Sequence, residues 1–149
     1  MPSRDLTPFL DARQNQLQLE VSAGDAIDTK ALGILATDFA ILLFIAQSSS
    51  INMHARLIVD VLVLSIISLV LTCIAIVPRK YAGASTNMFD HPEYLTFRTG
   101  RLVKQLISDT EIAILTNNKI NKQRWTVCSI ALVLTLVGSG ILFCVLYFN

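Results

Sequence analysis

Apolar residues along this chain are gathered into three long runs separated by polar stretches. The central run, Leu57 to Val77 (LIVDVLVLSIISLVLTCIAIV), is long enough as a helix to cross about 30 Å of hydrocarbon at about 1.5 Å per residue. Pro78, Arg79 and Lys80 follow it at once, a helix breaker and two side chains suited to head groups. The last run, Thr126 to Phe148, carries no charge and is bracketed by Trp125 and Tyr147, the aromatic types that anchor at a membrane surface. The first, Ala31 to Ala46, is shorter and contains Asp38, but uncharged residues continue through Met53. The pattern predicts an all-α membrane protein. It has transmembrane helices over 31–53, 57–77 and 126–148, a cytoplasmic N-terminal helical segment over 1–30 and a cytoplasmic helical hairpin over 78–125.

Basic residues agree with this layout. Arg4, Arg13 and Lys30 precede the first span, and Arg79, Lys80, Arg98, Arg101, Lys104, Lys119, Lys122 and Arg124 fall between the second and third. Arg56 alone occupies the loop between the first two spans. Positive charge collects on the cytoplasmic side, so the expected N-terminus is cytoplasmic and the C-terminus external. A two-span alternative, with Asp38 in an interfacial helix, would put basic residues on both faces.

The polar stretches read as helices. Thr7-Pro8 is an N-cap followed by proline at the first helical position, after which Phe9, Leu10, Leu17, Val21 and Ile27 can share one stripe. Gly24 and the alternating Gln16 to Glu20 weaken that pattern, but no partner strand is evident. Tyr81 to Asn87 reads as a loop and Glu93 to Phe97 as a short helix. From Arg101 onward Leu102, Leu106, Ala113 and Ile120 line one face, with Val103, Ile107 and Ile114 beside it. No Gly or Pro intervenes between Gly100 and Gly138, so one helix is expected to run into the third span.

Composition sharpens the class. Of 149 residues 53% are hydrophobic and only 15% charged, and the net charge of +1 excludes the strongly basic balance of a dedicated nucleic-acid binder. The charged residues of Met1 to Lys30 do not form a secretory leader, and none is expected. Cys73, Cys128 and Cys144 lie within apolar runs without CxxC spacing, which suits small packing residues better than metal or redox chemistry. No phosphate-cradling glycine loop, GxSxG or HExxH is present, and His54 and His91 have no evident partners. No catalytic residue, metal site or cofactor is expected, and the chain is read as a non-enzyme.

Several residues stand out as candidate sites. Asp38 lies about 10 Å beyond Lys30 along a helix, and an intramembrane acid is expensive unless sheltered. It could line a pore, meet another copy, or be a protonated acid bonded to Ser68, Thr72 or Thr135. Asp60, four residues after Arg56, suits an interfacial ion pair. Gly138 and Gly140 thin the third helix and could serve contact with a second copy or packing within one chain; Gly33, Ala36, Thr37 and Ala40 do the same in the first. Lys119, Lys122, Arg124, Arg79 and Lys80 form a basic collar suited to lipid head groups. Arg98, Arg101 and Lys104 could hold a phosphate-bearing ligand.

Asp28-Thr-Lys-Ala31 leads into the first span, Pro78-Arg79 ends the second, and LISDTEIAILTNNKINKQRW, Leu106 to Trp125, runs into the third. In this order of features the chain, from Asp25 to its C-terminus, resembles the Pycsar-type transmembrane effector family of bacterial antiphage defence. The resemblance implies an inner-membrane effector that responds to a cyclic pyrimidine mononucleotide by impairing the membrane, leading to growth arrest or death. It also implies self-assembly into a homo-oligomer and a partner cyclase that acts through its product rather than by contact. The positions that match the family pattern are Asp28, Lys30, Asp109, Glu111, Asn117, Asn118 and Asn121. No cyclic-nucleotide-binding domain is recognisable. The rival readings are a membrane anchor or accessory subunit docking a cytoplasmic partner, and a holin-like lesion former.

Overall fold

A computed structural model describes residues 7–47, 55–77, 81–82 and 99–147. They form three helices: α1 (Thr7–Gln47), α2 (Ala55–Ile76) and α3 (Thr99–Tyr147). No strand occurs among the described residues, so the alternation at Gln16 to Glu20 is absorbed into α1. All three helices are long and apolar enough to cross a membrane. At 1.5 Å per residue α1 and α3 measure about 60 and 75 Å, so only part of each fits within about 30 Å of hydrocarbon. Residues 48–53, His54, Arg79, Lys80, His91, the segment 93–97 and Arg98 lie outside the described residues.

The chain divides into two compact units, to each of which α1 and α3 contribute. One comprises Met1–Asp25 and Arg79–Lys122; the other comprises Ala26–Pro78 and Gln123–Asn149. The second is the three-helix bundle. Its buried positions are Ile27, Ala31, Ile34, Asp38 and Ile41 on α1; Val61, Ser65, Ser68, Thr72 and Ala75 on α2; and Arg124, Cys128, Ala131, Thr135, Gly138, Leu142 and Val145 on α3. Each line advances by alternating steps of three and four residues, the 3.5-residue spacing of left-handed helix packing.

What fills these lines is mostly small or polar, whereas Phe39, Phe44, Ile66, Leu132, Leu136 and Phe143 point outward. A water-soluble bundle has the reverse distribution. In lipid the arrangement is the expected one: large apolar side chains gain nothing by leaving hydrocarbon, and small ones let helices approach. Gly138 shows the use of smallness, since a methyl group added there would lie 3.9 Å from both Leu64 Cβ and Ser65 Oγ of α2. At Gly140 it would meet nothing within 4 Å.

The first unit differs from the expected stripe. Phe9 and Val21 are exposed and Leu10 and Leu17 only half-buried, while Gly24 is buried. The inward line of α1 passes through Leu10, Arg13, Leu17, Glu20 and Gly24, following the same alternating three- and four-residue steps, which leaves Phe9 and Val21 beside it. On α3 the deepest positions are Thr110, Ala113, Ile114, Asn117 and Asn121.

Candidate functional site

The bundle interior is stratified. One apolar cluster contains Ile27, Ala31, Ile34, Ala75, Cys128 and Ala131, and a second contains Ile41, Val61 and Leu142. Between them in sequence on each helix comes a polar layer: Asp38 on α1, Ser65, Ser68 and Thr72 on α2, and Thr135 on α3, all buried. Thr135 Oγ1 donates to Asp38 Oδ1 at 2.8 Å, and Ser68 Oγ lies 2.8 Å from Thr135 Oγ1. Ser68 Oγ also reaches the Ala131 carbonyl at 3.0 Å, while Thr72 Oγ1 turns back to the Ser68 carbonyl at 2.8 Å. Of the three hydroxyl residues that the sequence offered to Asp38, Thr135 makes the direct bond and Ser68 extends the chain behind it.

Two atoms of this layer have no hydrogen-bond partner among the described residues: Asp38 Oδ2 and Ser65 Oγ. Asp38 is 0% exposed and Ser65 1%. A buried polar atom without a partner costs about 1–3 kcal/mol, more when charged. The layer is therefore the part of the bundle whose polar groups are least satisfied.

Beside the first apolar cluster the bundle holds a fully engaged charge. Arg124 of α3, 3% exposed, donates from Nε to the Ala75 carbonyl at 2.8 Å and from Nη2 to Asp28 Oδ1. Ala75 lies in the last turn of α2, where carbonyls lack helical partners, and α2 has no basic residue of its own there. Arg124 supplies the missing donor and ties three helices together. The collar assignment is corrected at this residue: Arg124 is inside the protein rather than available to head groups, because its guanidinium has both a carboxylate and a helix end to satisfy. Lys119 and Lys122 are exposed. Lys30 Nζ sits 4.3 Å from the centroid of the Trp125 ring, a cation–π contact. A groove of about 440 Å³ with Gly33, Thr37, Ser129 and Ser139 in its wall begins beside this pair.

In the other unit the buried polar side chains Thr110, Asn117 and Asn121 are all hydrogen-bonded among the described residues. Asn117 uses its whole amide on one backbone unit: Ala82 N donates to Oδ1 at 2.9 Å, and Nδ2 donates to the Ala82 carbonyl at 3.1 Å. Asn121 Nδ2 donates to the Glu20 carbonyl at 2.7 Å and Oε2 at 3.2 Å, and its Oδ1 accepts from Tyr81 Oη at 3.0 Å. Gly24 makes room for that ring, since a Cβ there would stand 2.7 Å from Tyr81 Cζ.

The remaining candidates are dispersed. Glu111 Oε1 lies 3.5 Å from Arg13 Nη2, Asp109 accepts from Gln105 at 3.1 Å, and Asn118 is exposed. Arg101 and Lys104 are exposed on α3, as are Arg56 and Asp60 on α2. Cys128 packs in the core, while Cys73 and Cys144 face outward, all as free thiols. Among the described residues no group of three or more His, Cys, Asp or Glu could hold a metal ion. Ser65 was missed in the sequence, although its spacing from Ser68 and Thr72 by three and seven residues was there to be read.

Fold and interior together define a class: a multi-pass α-helical membrane protein with a polar layer enclosed in its bundle. No family model matches the chain, and no curated protein or solved structure is detectably similar to it.

Proposed function

We propose that the chain is a signal-operated membrane effector whose described form is the sealed state. The observation that supports this reading is the layering of the bundle, with hydroxyls and an acid enclosed between two apolar clusters. A polar lining is of little use to a simple anchor, but it lowers the cost of admitting water or ions once the apolar clusters part. The distribution of Lys and Arg supports a cytoplasmic N-terminus, and the resemblance implies the bacterial inner membrane. The resemblance supplies the trigger, a cyclic pyrimidine mononucleotide made by a separate cyclase, and assembly of several copies as the route to membrane damage. Such a ligand can shift the protein only if it binds the open form more tightly than the sealed one. Arg101 and Lys104, exposed on α3, and Arg98 are the cations offered to its phosphate.

The test is ion and dye release from liposomes containing the full chain. Addition of cyclic CMP or cyclic UMP is expected to raise release several-fold over purine cyclic mononucleotides. Release that no cyclic mononucleotide changes removes the trigger from the proposal.

A second reading has its own support. In the unit containing Tyr81 and Asn117, Leu19 and Leu115 are 68% and 65% exposed, and Phe9 and Ile112 are also exposed. Such residues suit docking of a partner, as an accessory subunit would require. Expression with and without the nucleotide signal distinguishes the readings: a subunit is tolerated in both cases, the effector is toxic only once the signal is supplied, and a constitutive lesion former is toxic at once.

A further inference from the structure

We infer that the groove between α1 and α3 is a binding site for one anionic phospholipid, with its phosphate at Lys30 and an acyl chain lying over Gly33 and against Leu136. The inference concerns the bundle alone and stands whether or not a nucleotide operates the protein.

The groove has the length and position of one leaflet. Its lining begins at Lys30 on α1 and Trp125 on α3 and runs to Thr37 and Ser139. At about 1.5 Å per residue these stretches extend about 10 Å along α1 and about 21 Å along α3, which brackets the half of a hydrocarbon core, about 15 Å, that one acyl chain fills. Lys30 directly precedes the first apolar run and Trp125 the last, so this end of the groove stands where head groups begin. Ser129, half-buried one turn beyond Trp125, offers a hydroxyl at the depth of the ester carbonyls. Below it Ile34, Leu132 and Leu136 supply apolar wall, and Gly33 leaves the floor open, since a methyl group added there would meet nothing within 4 Å.

Charge selects the head group. Arg124 is paired with Asp28, whereas Lys30 forms no ion pair among the described residues. The Lys30 ammonium stands 4.3 Å from the centroid of the Trp125 ring, which holds it at the mouth of the groove and leaves N–H donors for an anion. A phosphodiester with no cation of its own, as in phosphatidylglycerol, cancels this charge. The choline or ethanolamine of a zwitterionic lipid instead brings a second positive group beside it.

Trp125 is the single tryptophan of the chain and lines the groove, so the site carries its own probe. The full chain is reconstituted in vesicles of phosphatidylcholine brominated on an acyl chain near the ester, which quenches indole fluorescence on contact. Unbrominated phosphatidylglycerol or phosphatidylcholine then replaces it at increasing mole fraction. Phosphatidylglycerol is expected to restore Trp125 emission at about a fivefold lower mole fraction than phosphatidylcholine. Lys30→Gln is expected to make the two lipids equal, and Lys30→Arg to keep them apart. An added Cβ at Gly33 displaces no neighbour, so Gly33→Leu is expected to fold, fill the groove and remove most of the preference. Equal recovery by the two lipids overturns the inference, as does a preference that survives in Lys30→Gln or in Gly33→Leu. A preference abolished by inorganic phosphate at constant ionic strength assigns Lys30 to a free anion and overturns it. Trp125 emission that no brominated lipid quenches shows the groove covered by a second copy and overturns it equally.

Discussion

Asn117 and Asn121 in one unit, and Asp38 and Ser65 in the other, are all buried polar side chains on helices, yet their surroundings differ in kind. Each asparagine spends donor and acceptor on fixed partners: the Ala82 backbone for Asn117, and Glu20 with Tyr81 for Asn121. Asp38 and Ser65 each retain an oxygen with no partner among the described residues. A completed network holds one geometry and resists alternatives, while an incomplete one retains a penalty that another arrangement or a ligand can relieve. The asparagines are thus read as structural, and the acid layer as the place where the molecule can change state.

That contrast predicts an order of effects running against intuition about buried acids. Arg124→Ala removes the buried donor from the end of α2 and takes the partner from Asp28, whose 40%-exposed carboxylate turns to solvent. It is expected to cost about 3 kcal/mol of bundle stability, measured by reversible unfolding in mixed micelles. Asn117→Ala strips both bonds from the Ala82 backbone and is expected to cost about 2 kcal/mol, with faster amide exchange at Ala82. Asp38→Asn is expected to change stability by less than about 1 kcal/mol and to leave membrane insertion intact, because an amide of the same shape can still accept the bond from Thr135 Oγ1. A loss at Asp38→Asn as large as that at Arg124→Ala would erase the distinction between the two regions.

Much of the architecture was legible because lipid imposes a simple rule. Uninterrupted apolar runs must be helices, and Leu57 to Val77 and Thr126 to Phe148 needed no tertiary information. The continuity of α3 into the third span followed from the lack of Gly or Pro between Gly100 and Gly138. The inward faces were not legible in the same way. Hydrophobic periodicity marks a buried face only when the other face meets water, and in the bundle Phe39, Ile66 and Leu136 are apolar yet outward. The usable signal was the inverse one, small and polar residues at 3.5-residue spacing, which singles out Asp38, Ser68, Thr72 and Thr135. In α1 the same inward line, continued through Glu20 and Gly24, displaced Phe9 and Val21 from the expected stripe.

The residue order by itself determined which segments are helical and which can enter a membrane, because length, apolarity and the placement of charge act locally and need no partner. Tertiary structure alone decided where the polar groups go. Arg124 could have met lipid head groups, solvent or Asp28, and only the approach of α1 and the end of α2 made it an internal tie. Asp38 had three hydroxyl residues to choose among, and the packing of three helices gave its first oxygen to Thr135. Electrostatic and hydrogen-bond energies depend on distances between segments far apart in sequence, and those distances exist only after the helices have packed.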